Sequence, residues 1–465
     1  MLLAHAIGLV TSLHALMTVR TAQGTIAWVV SLNTMPIVAV PAYWVFGRSK
    51  FAGYVVQRQS RDLLADPQAR AVRQRLEPLV PAFARLPGSS LAGQRLAKVP
   101  YLGGNQVELL VDGKATFDSI LAGIQRAKHY VLVQFYIVRD DRLGRELRDR
   151  LVAKAREGVK VRFLYDEVGS SGLPRSYRDG LAAAGVQMVP FGTTRGWGNR
   201  FQLNFRNHRK IVVVDGTEGW VGGLNVGDEY LGRDPEIGAW RDTHVRIAGP
   251  AVLGLQLCFV EDWNWATGDL LFRKLAWPTE PRGDMAVLVV PSGPADRLET
   301  MSLLFQQALQ SAQSRIWIST PYFVPDGAVL GALHLAALRG VDVRLLIPDH
   351  SDSRLVDAAA ESFLEPLLGS GIRVYRFRDG FLHSKHLVID ERIGAVGTPN
   401  MDNRSFRLNF EVTAVVADPR FARQVAAMFE RDFVRSRLLA PKDVSQRPFW
   451  RRAFSRGANL LSPVL

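Results

Sequence analysis

The middle of this chain is written twice, and that constrains its fold more than any other feature. Ala155-Arg-Glu-Gly-Val-Lys-Val-Arg-Phe-Leu164 matches Ala337-Leu-Arg-Gly-Val-Asp-Val-Arg-Leu-Leu346. Upstream, Val133-Gln-Phe-Tyr-Ile-Val138 parallels Ser319-Thr-Pro-Tyr-Phe-Val324, and downstream Ala184-Gly-Val-Gln-Met-Val189 parallels Ser370-Gly-Ile-Arg-Val-Tyr375. The offsets are 182, 186 and 186 residues, so the register survives apart from small insertions. Solenoid repeats recur every 20 to 50 residues or so, which excludes that architecture. In each copy, β-branched runs alternate with helical patterns. Val131–Val138 and Val159–Tyr165 read as buried strands, with Arg142–Glu157 as the helix between them. Alternation of this kind implies α/β layers, so the expected body is two fused copies of one α/β domain. The expected divisions are an N-terminal segment over residues 1–50, a linker over 51–105, domains over 106–283 and 284–445, and a tail over 446–465.

Both copies carry the same short constellation. The first is His208-Arg-Lys-Ile-Val-Val-Val-Asp215 and the second is His383-Ser-Lys-His-Leu-Val-Ile-Asp390, both fitting H-x-K-x4-D. On a strand, residues two apart share a face, so each histidine projects beside its lysine. The aspartate lies seven positions on, at opposite parity, and reads as a turn or structural acid. A glycine and an amide follow each motif, in Gly222-Gly-Leu-Asn225 and Gly397-Thr-Pro-Asn400. Glycine permits close backbone approach, and an amide can donate to a phosphate oxygen. Acids come next: Asp228 and Glu229 in one half, Asp402 and Glu411 in the other. Any of these can orient a histidine through its far ring nitrogen. If a pseudo-twofold axis brings the copies together, two imidazoles and two ammonium groups share one site. Such a set suits a phosphodiester: one neutral imidazole attacks phosphorus, and the other, protonated, donates to the leaving alkoxide. The lysines and asparagines hold the phosphoryl oxygens. This chemistry requires no metal or cofactor, and the sequence holds no ligand cluster for one.

The ends of the chain point to a membrane. Leu2–Val19 and Thr25–Phe46 are apolar stretches of about one span each, and the second carries no charge. Trp28, Tyr43 and Trp44 supply rings that favour the headgroup level, and Pro36 and Pro41 are tolerated within spans. The first stretch lacks the basic n-region of a signal peptide, and a second apolar segment follows closely. The expectation is therefore a transmembrane helical hairpin. The connector Arg20–Gly24 holds one basic residue, whereas Arg48, Lys50, Arg58 and Arg61 follow the second stretch, so the positive-inside rule puts the body in the cytoplasm. The tail, Gln446–Leu465, interleaves Arg447, Arg451, Arg452 and Arg456 with Phe449, Trp450, Phe454, Leu460 and Leu461, as in a helix lying in the headgroup plane. Net charge is +14, which implies an anionic partner, and half of that excess sits in residues 1–50 and 446–465. Its location favours anionic lipid over nucleic acid. Cys258 is the sole cysteine, which excludes a disulfide framework and leaves an inert packed thiol. His386 lies on the opposite strand face from Lys385 and reads, like His129, His244, His334 and His350, as structural. Tyr322 reads as a core aromatic, with a lipid-channel lining as the alternative.

The paired H-x-K-x4-D motifs resemble those of the phospholipase D superfamily, which is bilobal and metal-independent. More narrowly, the chain resembles the bacterial cardiolipin synthases. That likeness is carried by Tyr130-Val-Leu-Val-Gln-Phe-Tyr-Ile137, Tyr165-Asp-Glu-Val-Gly-Ser170 and Trp240-Arg-Asp-Thr-His-Val-Arg246. It continues through Asp262-Trp-Asn-Trp-Ala-Thr-Gly268, Thr320-Pro-Tyr-Phe-Val-Pro-Asp326 and Gly397-Thr-Pro-Asn-Met-Asp-Asn-Arg-Ser-Phe-Arg407. The resemblance implies a multi-pass protein of the bacterial inner membrane that transfers a phosphatidyl group between two phosphatidylglycerol molecules and releases glycerol. It implies a catalytic set of His208, Lys210, Asp215, His383, Lys385 and Asp390, with His208 the nucleophile and His383 the general acid. Asn225 and Asn400 are then substrate-binding, and Asp228, Glu229 and Glu411 are supporting acids. Three alternatives compete. An endonuclease of the same superfamily has no use for uncharged spans, and a non-catalytic scaffold has no need of two complete motifs. A hydrolytic phospholipase D, or another phosphatidyltransferase, differs only in what attacks the intermediate.

Overall fold

The structure of the protein, a computed structural model, describes residues 1–19, 21–48, 50–60, 66–86, 88–193 and 204–464. Arg20, Arg61 and Leu465, which enter the charge and tail arguments above, lie outside the described residues.

Local sequence chemistry sets the elements. The helix Arg142–Arg156 starts where the Asp141 side chain accepts the Gly144 N–H at 2.9 Å, and it buries Leu143, Leu147 and Leu151 along one stripe. The strands on either side of it, Tyr130–Phe135 and Lys160–Tyr165, pair in parallel from Tyr130 opposite Lys160 to Phe135 opposite Tyr165. This is the β-α-β arrangement expected of the alternating pattern, in which a helical crossover connects parallel strands. Its counterpart in the second half pairs Arg315–Ser319 in parallel with Asp342–Pro348 around the helix Gly327–Leu338.

Each half builds the same run of strands. In the first, Gln187–Pro190, Lys160–Tyr165 and Tyr130–Phe135 are followed across the sheet by Ile211–Val214, Glu218–Gly222, Thr243–Ala248 and Leu102–Val111. The second runs Arg373–Phe377, Asp342–Pro348, Arg315–Ser319, His386–Ile389, Ile393–Gly397, Asn409–Ala417 and Met285–Ser292. The two runs join where Leu102–Val111 pairs antiparallel with Met285–Ser292, giving one continuous sheet with a pseudo-twofold at its centre. Helices cover both faces. Val252–Thr267 and Pro419–Val434 pack on one side, with Phe259, Trp263, Phe421 and Phe429 in its core. Asp112–Arg126 and Thr300–Ser311 pack on the other.

The N-terminal segment folds as a hairpin, but not as two full spans. The first helix, Leu2–Thr18, has 17 residues and a length of about 26 Å, against a hydrocarbon core of about 30 Å. The second apolar stretch does not form one helix. It breaks at Met35 (φ −133°, ψ 57°), ahead of Pro36, into Ala22–Thr34, Pro36–Ala42 and a wide turn Tyr43–Gly47. Proline tolerates the first turn of a helix but restricts the residue before it, which accounts for the break. Among the described residues, no helix is long and apolar enough to cross a membrane. The polar side chains within the hairpin satisfy each other: Asn33 Nδ2 donates to Ser12 Oγ at 2.8 Å, and His14 Nδ1 lies 2.7 Å from Tyr43 Oη. Its outer face remains apolar, with Leu3, Val10, Leu13, Ile26, Ile37 and Val38 exposed. The linker docks on the body through Phe51, which packs against Phe205, Trp265 and Phe410, and through Tyr54 Oη, which donates to Asp262 Oδ1 at 2.9 Å.

Candidate active site

Each histidine-lysine pair enters one of the paired strands from its N-terminal side. Lys210 precedes Ile211–Val214, and Lys385 precedes His386–Ile389. The short segment ahead of each motif crosses the pseudo-twofold. Arg206–Asn207 pairs in parallel with Asn409–Phe410 of the second half, and His208 N donates to Phe410 O at 3.0 Å. Conversely, Phe381–Leu382 pairs in parallel with Trp240–Arg241 of the first half, and His383 N donates to Arg241 O at 2.8 Å.

This exchange determines which acids meet the histidines. His208 Nδ1 lies 3.0 and 2.9 Å from the two Glu411 oxygens, and His383 Nδ1 lies 2.9 Å from Asp242 Oδ2. The two acids are symmetry mates. Gly222 is registered opposite His244 and Gly397 opposite Thr413, and each acid lies two residues before that partner. Every imidazole is thus oriented by a carboxylate from the other half. A carboxylate on Nδ1 fixes the tautomer that carries its proton there and leaves the Nε2 lone pair free. Glu411 is itself held by Thr398 Oγ1 at 2.5 Å and Asn409 Nδ2 at 3.2 Å, and Asp242 accepts from Thr243 N at 2.7 Å.

The lysines lie beneath the histidines. Lys210 Nζ donates to His208 O at 2.7 Å and sits 5.4 Å over the Tyr136 ring. Lys385 Nζ donates to His383 O and approaches His383 Nδ1 to 2.8 Å. Aromatic rings wall the pair. Tyr136 meets His208 edge-on at 5.1 Å, and Trp240 lies 5.1 Å from His383. Tyr322, expected in the core, instead presents its ring edge to His383 at 6.4 Å and donates its hydroxyl to Asp352 at 2.6 Å.

Burial sets the protonation of this cluster. It lowers His208 to about 4 despite Glu411, and it lowers His383 in the same direction, helped by the Lys385 charge. Burial also brings Lys210 down to about 7 and Lys385 to about 8. For Glu411 burial acts upward, but His208, Lys210 and the Thr398 hydrogen bond overcome it and hold the carboxyl at about 2. The partners His208 and Glu411 move in the same direction because desolvation dominates for the imidazole while surrounding cations dominate for the acid. Without a bound anion, burial and the lysine charges thus favour the neutral form of both imidazoles.

The remaining expected site residues divide. Asp215 and Asp390 stand apart from the histidines, at the far ends of their strands. Both adopt φ 52° and act as turn acids. Asp215 accepts the N–H groups of Lys128, His129 and Tyr130, each at 2.8 Å. Asp390 accepts those of Gln313, Ser314 and Arg315. Asp228 and Glu229 do not reach a histidine. Asp228 accepts the Arg142 and Leu143 N–H groups at the start of a helix and pairs with Arg233, while Glu229 pairs with Arg139. The reason is that the segment after Asn225 turns away towards that helix. Asn225 Oδ1 accepts the Ile137 N–H, and its Nδ2 donates to Tyr230 Oη. Asn400 is buried, and among the described residues its Oδ1 has no hydrogen-bond donor. Asp402, the remaining acid of the second half, caps the turn Asn403–Arg407 through Ser405 N. His386 is a core residue whose ring packs 4.4 Å from Phe429, and Cys258 is a buried free thiol. Motif spacing alone gives Asp242 no role. The available signal is its place in Trp240-Arg-Asp-Thr-His, two residues before the partner of Gly222, as Glu411 stands before the partner of Gly397.

Comparison with known proteins adds the following. The family model described as "Cardiolipin synthase, PLD-like domain" matches residues 120–248 and again 305–433. The chain is 47% identical over 474 residues to Cardiolipin synthase A of Pseudomonas putida strain W619, covering 100% of this chain and 97% of that protein. It is likewise 47% identical over 467 residues to Cardiolipin synthase A of Pseudomonas fluorescens, with the same coverage. Among solved structures, the phosphatidylserine synthase of Haemophilus influenzae superposes with a TM-score of 0.61 at 17% identity, over 81% of this chain and 100% of that one. Polyphosphate kinase from Porphyromonas gingivalis reaches 0.50 at 14% identity, over 77% of this chain and 54% of that one. Both likenesses speak to the fold alone.

Proposed function

The chain belongs to the cardiolipin synthase family, phosphatidyltransferases of the phospholipase D superfamily, and from that premise we propose a two-step transfer between phosphatidylglycerols through a phosphohistidine. In the first step His208 Nε2 attacks phosphorus. The bond from phosphorus to the glycerol oxygen breaks, and His383, which takes up a proton at Nε2 as the anionic phosphodiester binds, gives that proton to the oxygen and releases glycerol. In the second step, the hydroxyl of another phosphatidylglycerol gives its proton to His383 and attacks phosphorus. This displaces His208 and leaves cardiolipin.

One observation carries the reading: each imidazole is held at Nδ1 by a buried carboxylate from the other half. Glu411 faces His208 with both oxygens, which suits a ring that gains positive charge when Nε2 bonds phosphorus. Lys385 beside Nδ1 of His383 makes that imidazolium a stronger acid, which suits the donor role. Lys210 and Lys385 are assigned to the phosphoryl oxygens. The orphan Oδ1 of Asn400 is assigned to a substrate hydroxyl, and Asn225 to holding the shell around Tyr230. Asp215 and Asp390 keep the motif strands in register and take no part in proton transfer.

The membrane reading forms part of the same proposal. The exposed apolar face of the hairpin supports residues 1–50 as a membrane anchor at the inner membrane, with the body on the cytoplasmic side. The tail helix Phe449–Asn459 turns Ser455 and Ala458 to the body and leaves Phe449, Trp450 and Phe454 exposed, which supports headgroup contact. The divisions at 105/106, 283/284 and 445/446 belong to this reading too; the strand that opens at Met285 supports the second, while the strand Leu102–Val111 begins ahead of the first.

The test is thin-layer analysis of purified enzyme incubated with phosphatidylglycerol alone, without nucleotide or divalent metal. Cardiolipin and glycerol in equal amounts are expected. Product that requires a cytidine-activated lipid overturns the scheme, and phosphatidic acid as the main product assigns the second step to water.

A further inference from the structure

Among the buried positions at which the two halves differ, one changes the space beside the lysine-bearing strand. In the first half, Trp220 is registered opposite Val212 on the strand that follows Lys210, and its indole fills the space between sheet and helix. It lies so close to the helix that a Cβ on Gly123 would come within 2.1 Å of the ring, and its Nε1 donates to Ser119 Oγ at 2.9 Å. In the second half the residue at that register is Ala395, opposite Leu387 on the strand that follows Lys385. The facing helix Thr300–Ser311 presents Leu304 and Ala308 in place of Ser119 and Gly123. Where the first half is plugged by an indole, the second holds a cavity of about 690 Å³.

We propose that this cavity takes one acyl chain of the reacting phosphatidyl lipid. The inference rests on the function proposed above. Its walls are chiefly apolar, including Leu288, Leu304, Phe305, Leu387 and Ala395. Its volume falls in the range of small-molecule sites, about 300–1,000 Å³. Lys385 of the second motif lines the cavity together with Thr320 and Pro399, so one end of it reaches the edge of the catalytic cluster. The outer end opens beside Phe83 and Leu86 of the linker, both exposed apolar residues. A ligand with its phosphoryl group over Lys385 and a long apolar tail matches that sequence of polar end, apolar wall and apolar mouth. A symmetric pair of lobes thereby acquires one lipid-tail site, which distinguishes donor from acceptor.

The test uses the full chain in mixed micelles and compares dioleoyl with dihexanoyl phosphatidylglycerol. Ala395→Phe, which fills the cavity without adding a polar atom, is expected to lower kcat/KM for the dioleoyl lipid about tenfold, the worth of about two buried methylenes, and to leave the dihexanoyl lipid within about twofold. Ala308→Leu, from the opposite wall, is expected to do the same more weakly. An unchanged ratio of long-chain to short-chain activity in cooperatively folding variants overturns the proposal. A second readout needs no turnover and no variant: phosphatidylglycerol with a diazirine at the end of one acyl chain, photolysed with the wild-type chain. Label on the peptide of Leu304 or Ala395, competed by dioleoyl lipid, supports the site, and label confined to other peptides overturns it. Failure to form cardiolipin in the wild type counts against the function reading and leaves the labelling result standing.

Discussion

Replacing Glu411 by Gln removes one charge from a fully buried pair while preserving size. The carboxyl is held at about 2, against an ordinary 4.5, because the cations around it outweigh the burial that opposes them. That gap corresponds to about 3 kcal/mol of preference for the ionised form in this setting, or a factor of about 10² to 10³. The Glu411 carboxylate, so held ionised, in turn stabilises the positive charge that the His208 ring acquires on attacking phosphorus. A second effect has the same sign: a glutamine amide donates to Nδ1, which moves the ring proton to Nε2 and blocks the attacking lone pair. The expected outcome is a fall in kcat of about 10² to 10³ with KM changed less than about threefold, since the phosphate ligands are untouched. The assay is initial-rate formation of cardiolipin from labelled phosphatidylglycerol at saturating and sub-saturating lipid. Acid unfolding gives an independent readout. The folded value lies below the ordinary one, so the Glu411 contribution is complete above about pH 4.5 and is lost as pH falls towards 2. Glu411→Gln should therefore show a shallower loss of stability across that window. A variant that keeps kcat within about threefold of wild type would refute the cross-lobe carboxylate as an element of catalysis.

Other outcomes follow from the same geometry. His208→Ala and His383→Ala should each abolish cardiolipin formation while leaving cooperative unfolding intact; full turnover in either removes the two-histidine scheme. Lys210 at about 7 and Lys385 at about 8 lose charge across mildly alkaline pH in the free enzyme, so kcat/KM should fall above about pH 7–8. Bound phosphodiester restores their protons, so kcat should hold to higher pH, and parallel profiles would contradict this. Asp390→Ala strands the N–H groups of Gln313, Ser314 and Arg315, an expected cost of about 2–3 kcal/mol in urea unfolding, with KM of the folded enzyme unchanged.

The repeat in the sequence is enough to reach the doubled α/β body, because strand and helix periodicity are local properties that duplication states twice. Strand parity also places each histidine beside its lysine and sets Asp215 and Asp390 apart as turn acids. The supporting acids are less legible. Asp228 and Glu229 follow the motif closely in sequence, yet Asp228 accepts N–H groups at a helix start and pairs with Arg233, and Glu229 pairs with Arg139. Asp242 and Glu411 lie far from the histidines they serve, and their pairing depends on strands that cross between halves, which periodicity within one half does not encode. The hairpin shows the opposite failure. Its apolar composition is legible, but the break at Met35 ahead of Pro36 follows from backbone sterics that a hydropathy sum ignores.

The strand exchange also explains why a chain with two motifs forms one site. A half on its own would contain a histidine and lysine without a carboxylate, together with a carboxylate that has no imidazole to orient. Glu411 and Asp242 are both fully buried in the joined body, where each has given up water for a partner imidazole that only the other half supplies. Docking of the halves is thus stabilised by the same contacts that set the tautomers for chemistry. Divergence reaches the exchange itself, where Asp242 stands in one half and Glu411 in the other, and outside it changes buried volume, as with Trp220 against Ala395. Duplication accordingly supplied matched acid-base partners, while buried substitutions such as Trp220 against Ala395 separated the surroundings of the two lysines.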